Sequence, residues 1–403
     1  MKKNLPKFLP LTAISAFLLL YSLSCGGGAG IIAGGGIDGT GIISRGIIAA
    51  FGSIVVNGSD FDTTNAEIVI NGVTIGTGDE VVLVNLDIGR VVTVQGPLCT
   101  DDESCTADRV IYSDNVKGPV QAVWSIDNRT KEIVVLGQTV ILNVNTKFEN
   151  TGFDTIAVGS FVEVSGLFDD AGTIWATFIG KTGEFLPELE VEVTGYLMNL
   201  DDDLMAFTIN ELLVDYSSAD TGSLPDGTVS EGDLVEVHGY LDESGTVLVA
   251  LAIEPGDDLD VANAEQTEFT GFVTAIVSTA EFFLGNQPVI IDPEAIFIDG
   301  SRDEIMPGAK LEAEGSLIDG NLHAWEIEFW EPDQVEIEDV VTAVASADQF
   351  TVGDQVIQTD ENTLFENGTA DDIEIGVDLE IKGVPADIDF SIIIADKVSF
   401  EDE

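Results

Sequence analysis

"EGDLVEVHG", residues Glu231 to Gly239, reads as a short strand held between two glycines. Val235 and Val237 alternate with Glu236 and His238, the period-two pattern of a strand with one buried face. The stretch decides the fold because it recurs. A glycine, six residues and a second glycine occur at Gly89–Gly96 (GRVVTVQG), Gly159–Gly166 (GSFVEVSG), Gly232–Gly239 (GDLVEVHG), Gly308–Gly315 (GAKLEAEG) and Gly376–Gly383 (GVDLEIKG). One interior position is always apolar: Val92, Val162, Val235, Leu311, Leu379. So is the next but one: Val94, Val164, Val237, Ala313, Ile381. The residue between them is polar in every copy: Thr93, Glu163, Glu236, Glu312, Glu380. The valines therefore point inward, and Glu236 and His238 outward. The paired glycines signal tight turns or close backbone approach.

Each copy is followed by a turn and a second strand ending Ala-x-x-Ile or Ala-x-x-Val, as at Ala176–Ile179 and Ala250–Ile253. The turns read DDAG (Asp169–Gly172), DESG (Asp242–Gly245) and IDG (Ile318–Gly320), all good hairpin chemistry. Upstream lies another shared block, beginning near Gly46, Gly118, Gly195, Gly271 and Asp339, spaced 72, 77, 76 and 68 residues apart. Self-similarity at such a period sets the domain count at five. The expected organisation is a leader (1–25), a glycine-rich tether (26–45) and β modules over 46–116, 117–192, 193–268, 269–337 and 338–403. Each unit has three short strands, a loop of a dozen or more residues and a closing hairpin. That pattern predicts an all-β fold of tandem small β-barrels of the OB or SH3-like kind. Units this small are marginal alone, so neighbours are expected to pack end to end or share a strand. A short helical turn fits in the loop, but nothing after the leader predicts a long helix.

The composition agrees. Hydrophobic residues make up 45% of the 403, and 42 glycines suit short strands joined by tight turns. The formal charge of −58, from 73 acidic against 15 basic residues, opposes nucleic-acid binding, which depends on Lys and Arg displacing counterions from phosphates. Anionic lipid surfaces are disfavoured on the same ground, and solubility in a salty or crowded compartment is the plain reading.

The first 25 residues differ. Lys2, Lys3 and Lys7 precede an uncharged run, FLPLTAISAFLLLYSLSC, which enters GGGAGIIAGGG. The stretch resembles a bacterial lipoprotein signal peptide, which implies lipidation of Cys25 and a membrane anchor through that lipid. Ser22 stands where that pattern usually has Leu; Gly26 after the cysteine implies the outer membrane. An ordinary secretory leader and an uncleaved anchor are the alternatives, although the run is short for a spanning helix and contains Pro10. With Cys25 lipidated, Cys99 and Cys105 remain as a pair in an oxidising compartment and are expected to form a structural disulfide at a hairpin tip.

Within the repeats, the order G-x-V-x-A-I, F-x-V-x-G-x-x-V, G-D-x-V-E-V-x-G and a D-x-G-T hairpin resembles the bacterial domain of unknown function 5666. The lead-in Gly39–Val73 is similar to that of lipoproteins carrying this domain. The resemblance implies an exported small β-barrel module, with no activity and no catalytic residue.

Chemistry is sparse. His238 and His323 are the only histidines and lie in different units, so each reads as a surface or half-buried strand residue. No G-x-S-x-G elbow occurs, and His and Cys are too few for a zinc site. Gly26–Gly36 lacks a following Gly-Lys-Ser/Thr and reads as a tether, not a phosphate cradle. Asp169, Asp170, Asp201, Asp202, Asp203, Asp257 and Asp258 are candidate calcium ligands without EF-hand spacing, and solvated turns are the alternative. Trp175, Trp325 and Trp330 serve packing or a carbohydrate platform. The resulting expectation is a non-enzymatic, lipid-anchored envelope protein, cofactor-free unless calcium binds. It would bind or scaffold an envelope protein or polysaccharide, from the outer membrane toward periplasm or exterior. A calcium- or glycan-binding adhesin-like protein and a carboxylate-dependent hydrolase are the rivals.

Overall fold

The alternating strands are realised as closed rings in the computed structural model, which describes residues 41–51, 54–99, 105–256, 262–330, 334–346, 348–353, 355–360, 362–386 and 392–400. In barrel 3 the strands are Val191–Asp201, Ala206–Ile209, Leu212–Asp215, Leu234–Leu241 and Val247–Pro255. The first pairs antiparallel with the second and the fourth, the second with the third, and the fourth with the fifth. The third runs parallel to the fifth and closes the ring. This 1-2-3-5-4-1 order with one parallel contact is OB-like. Barrels 2, 4 and 5 repeat it, with parallel closures at Val140–Ile141, Val289–Ile298 and Ile357–Gln358 against their fifth strands.

Barrel 1 elaborates the same ring. A hairpin, Glu67–Ile70 and Val73–Thr77, and a one-face-buried α-helix, Asp79–Asn85, are inserted before its fourth strand. Its fifth strand is split into Cys105–Thr106 and Arg109–Tyr112, and Cys99 and Cys105 are disulfide-bonded across that closing hairpin. Among the described residues no helix is long and apolar enough to cross a membrane.

The repeated glycines have two separate physical causes. The first of each pair, Gly89, Gly159, Gly232, Gly308 and Gly376, has φ between 86° and 96°, where side chains are strained. The second has no room for a Cβ: at Gly239 it would lie 2.2 Å from the carbonyl oxygen of Val249, beside the bulge between the fourth and fifth strands.

Inward residues behave as the alternation predicts, with Val235 and Val237 fully buried. Outward residues do not. Glu236 is only 4% exposed, because the outer faces of the barrels abut one another rather than water. Strands also begin earlier than the repeat implies: Glu192, expected at the end of the second module, lies in the first strand of the third. It pairs there with both Lys117 and His238.

The described residues fall in one unit. Barrels 2 and 3 join their sheets through Val116–Lys117 against Glu192–Val193 and share one hydrophobic core cluster. Among the described residues barrel 1 makes no strand pairing with its neighbour in sequence. Its first strand, at Ile42–Arg45, runs parallel to Gln266–Phe269 of barrel 4, so the two barrels share a 13-stranded sheet. Barrel 5 keeps its own six-stranded sheet. Strand pairing between barrels also covers edges that would otherwise stay open.

Candidate functional site

The outward polar position of the repeat becomes a set of buried junctions. Arg90 of barrel 1 is the hub of the first, 5% exposed. Its Nη1 donates to Tyr112 Oη at 2.6 Å, its Nε to Asp87 at 3.1 Å, and its Nη2 lies 3.5 Å from Glu163 of barrel 2. The guanidinium also sits 4.2 Å from the Phe178 ring centroid and 4.7 Å from that of Tyr112. Tyr112 Oη in turn donates to Asp114 at 2.5 Å. Burial and then the Glu163 charge push the Asp114 carboxyl up to about 6, against the pull of Tyr112 and Arg90. Lys117 Nζ pairs with Glu163 at 2.5 Å.

The second junction lies on the outer face of barrel 3. His238 Nε2 is 2.8 Å from Glu236 Oε1, and its Nδ1 is 3.7 Å from Glu192 Oε2. Asn71, at the Asn-Gly tip of the barrel 1 hairpin, donates to Glu192 Oε2 at 2.8 Å. Burial, then Asp114 and Glu236, push the Glu192 carboxyl up to about 10. Burial opposes the charged form of His238, but the nearby Glu236, Glu254 and Glu190 carboxylates raise it overall.

A third feature is a cavity of about 840 Å³ lined by barrels 1, 2, 4 and 5. Trp175 and Phe272 form one wall, ring centroids 5.7 Å apart and 39° between planes. Trp330 forms another, with the ammonium groups of Lys310 and Lys382 at 5.3 Å and 4.7 Å from its ring. Among the described residues the buried Trp330 indole N–H has no hydrogen-bond partner, whereas that of Trp175 donates to Asp169 at 3.0 Å. Thr270 Oγ1 lies 3.0 Å from both Asn57 Oδ1 and Glu312 Oε2, placing hydroxyl, amide and carboxylate groups on the cavity. Burial and then Glu328 raise the Glu312 carboxyl, and its hydrogen-bonded neighbour Glu268 is raised further by burial and Glu312.

The sequence candidates fare unevenly. Trp175 and Trp330, 155 residues apart in the chain, meet on the cavity, while Trp325 lies half-exposed on the strand Asn321–Trp330. Asp169 accepts from the N–H groups of Ala171 and Thr173 in its turn, and Asp201 accepts from Leu204. Asp170, Asp202 and Asp203 are exposed in those same two turns. Asp257, Asp258, Cys25 and tether residues 26–40 lie outside the described residues, whereas Ile42–Arg45, expected at the end of the tether, already belong to the first strand of barrel 1. Among the described residues the one group of three potential metal ligands is Glu192, Glu236 and His238; none of these aspartates belongs to it. This group contains one histidine and two glutamates and no cysteine. No spacing rule links Glu192 to His238, since strand pairing brings them together. His323 stays in barrel 4, 3.8 Å from Asp292.

Comparison with known proteins fits the barrel boundaries. The family model described as Domain of unknown function (DUF5666) matches residues 117–180, 194–254, 270–328 and 340–391, within barrels 2 to 5. No curated protein gives a significant match. The solved structure titled drosophila Unr CSD456 is similar at 17% identity over 53% of this chain and 98% of that chain, with a TM-score of 0.13. With more than half of its length matched in four successive copies, the chain belongs to the DUF5666 family.

Proposed function

We propose that this is a non-enzymatic binding protein of the bacterial cell envelope, lipid-anchored through Cys25, with four of its five barrels arranged around a ligand cavity. The observation that carries the reading is the cavity itself: four barrels converge on about 840 Å³ walled by Trp175, Phe272 and Trp330 and edged by polar groups. Flat aromatic faces beside amide, hydroxyl and carboxylate groups suit a ligand with an apolar ring face and hydroxyl edges, the chemistry of a saccharide. The anchor rests on the leader sequence alone.

Titration of the mature chain with neutral envelope oligosaccharides tests the reading. Saturable change in tryptophan emission is expected, lost in Trp175→Ala and Trp330→Ala. No saturable change with any such oligosaccharide, or a change surviving both substitutions, overturns it. One observation favours a carboxylate-dependent hydrolase instead: Glu312 lines the cavity and shares a hydrogen bond with Glu268. Glycoside hydrolysis needs its two carboxyl groups at least about 5 Å apart, which a hydrogen-bonded pair is not. Product release from an oligosaccharide by the wild type but not by Glu312→Gln would establish that second reading.

A further inference from the structure

The cavity leaves one cluster unused. Glu192 and His238 face each other across the first and fourth strands of barrel 3, and Glu236 stands two residues along the same outer face. One donor atom from each of the three lies within 4.8 Å of the other two. Both glutamates are 4% exposed, and among the described residues Oε1 of each is buried without a hydrogen bond. His238 Nε2 comes within 2.8 Å of Glu236 Oε1 but out of hydrogen-bond alignment. A buried carboxylate oxygen with no donor is costly, and two of them beside one imidazole form a site short of positive charge.

The surroundings deepen that shortage. Asp114 and Glu236 repel Glu192, and Glu254 and Glu190 act on His238. The cation that faces the cluster, Lys117, has its ammonium 2.5 Å from Glu163. Asn71 holds the other oxygen of Glu192, the kind of orienting hydrogen bond that metal-ligating carboxylates receive from an outer shell. Asn71 comes from the hairpin that only barrel 1 carries.

We propose that Glu192, Glu236 and His238 form a divalent-cation site of the zinc type, which fastens barrel 3 to the barrel 1 hairpin. One imidazole nitrogen with two carboxylates suits a borderline first-row ion, whereas calcium and magnesium favour all-oxygen sets. Bonds of about 2.0–2.1 Å in a tetrahedral site place ligand atoms roughly 3.3 Å apart, so the wider separations, up to 4.8 Å, must close, while His238 Nε2 and Glu236 Oε1, 2.8 Å apart, must part slightly. A fourth position is left for water or a further oxygen.

The test uses the full mature chain stripped with chelator, with Zn²⁺ alone as probe and millimolar calcium present to occupy surface carboxylates. One tight equivalent is expected, with a rise in melting temperature of several degrees, and Co²⁺ in its place should give visible bands of a four- or five-coordinate nitrogen–oxygen site. Glu192→Gln is isosteric; it should fold at least as well as the wild type and bind zinc more than about 100-fold more weakly. His238→Ala should lose the cobalt bands. Asp201→Asn/Asp202→Asn and Trp175→Ala should leave binding intact, which separates this site from surface carboxylates and from the cavity. Absence of a zinc-dependent shift in the wild type, or binding within threefold of wild type in both Glu192→Gln and His238→Ala, overturns the proposal.

Discussion

Replacing Arg90 with methionine tests whether buried polar junctions hold the barrels together. Methionine keeps the length and apolar contact with Phe178 but removes a guanidinium that faces Asp87, Tyr112, Asp114 and Glu163. Hydrogen bonds to charged groups contribute about 1.5–3 kcal/mol each and a desolvated cation–π contact about 2 kcal/mol, but such terms do not add. Breaking one partner out of a buried ionic network costs about 3–5 kcal/mol, mostly because the remaining charge has no counterion. Asp114 is the group left stranded, 3% exposed and already raised to about 6 with Arg90 beside it. Arg90→Met should therefore lose about 3–5 kcal/mol, and Asp114→Asn in that background should recover a substantial part. Five linked barrels need not unfold in one step, so the loss is best read locally by hydrogen exchange in Val91–Gly96 and Ser160–Phe168. A loss below about 1 kcal/mol, or strict additivity of the two substitutions, would refute the reasoning.

Four further substitutions have outcomes set by local geometry and burial. Gly239→Ala should destabilise by about 2–3 kcal/mol, since its Cβ meets the Val249 carbonyl at 2.2 Å. Gly232→Ala, with open space but φ of 89°, should cost only about 1 kcal/mol in a denaturant midpoint series. Removing the Cys99–Cys105 link by Cys99→Ser/Cys105→Ser frees a short loop and should cost about 2 kcal/mol in barrel 1, with exchange in barrel 5 unchanged. The raised carboxyls of Glu268 and Glu312 favour the folded chain below their ordinary value of 4.5, and that contribution is lost as pH rises through the raised values. Glu268→Gln should accordingly melt at a higher temperature than wild type at pH 8 and at about the same temperature at pH 4, and equal melting at both would count against the buried pair.

Much of the architecture was legible because its causes are local. Alternation of Val235 and Val237 with polar residues is a property of one strand, and a glycine forced to φ near 90° is a property of one turn. The cavity and the Glu192–Glu236–His238 cluster were not legible. Glu236 reads as solvated from its own strand, yet it is buried beside Glu192, which the neighbouring strand supplies and the Asn71 hairpin covers.

By itself, then, the sequence determined five glycine-punctuated β units, their all-β character and the pair of cysteines near one hairpin tip. Tertiary structure decided which barrels pair: Ile42–Arg45 of barrel 1 joins Gln266–Phe269 of barrel 4, across more than 200 residues of chain. Such pairing depends on the shapes and charges of completed outer faces, which no window of sequence contains. Both candidate sites lie on those faces, where residues from several barrels lose their water together.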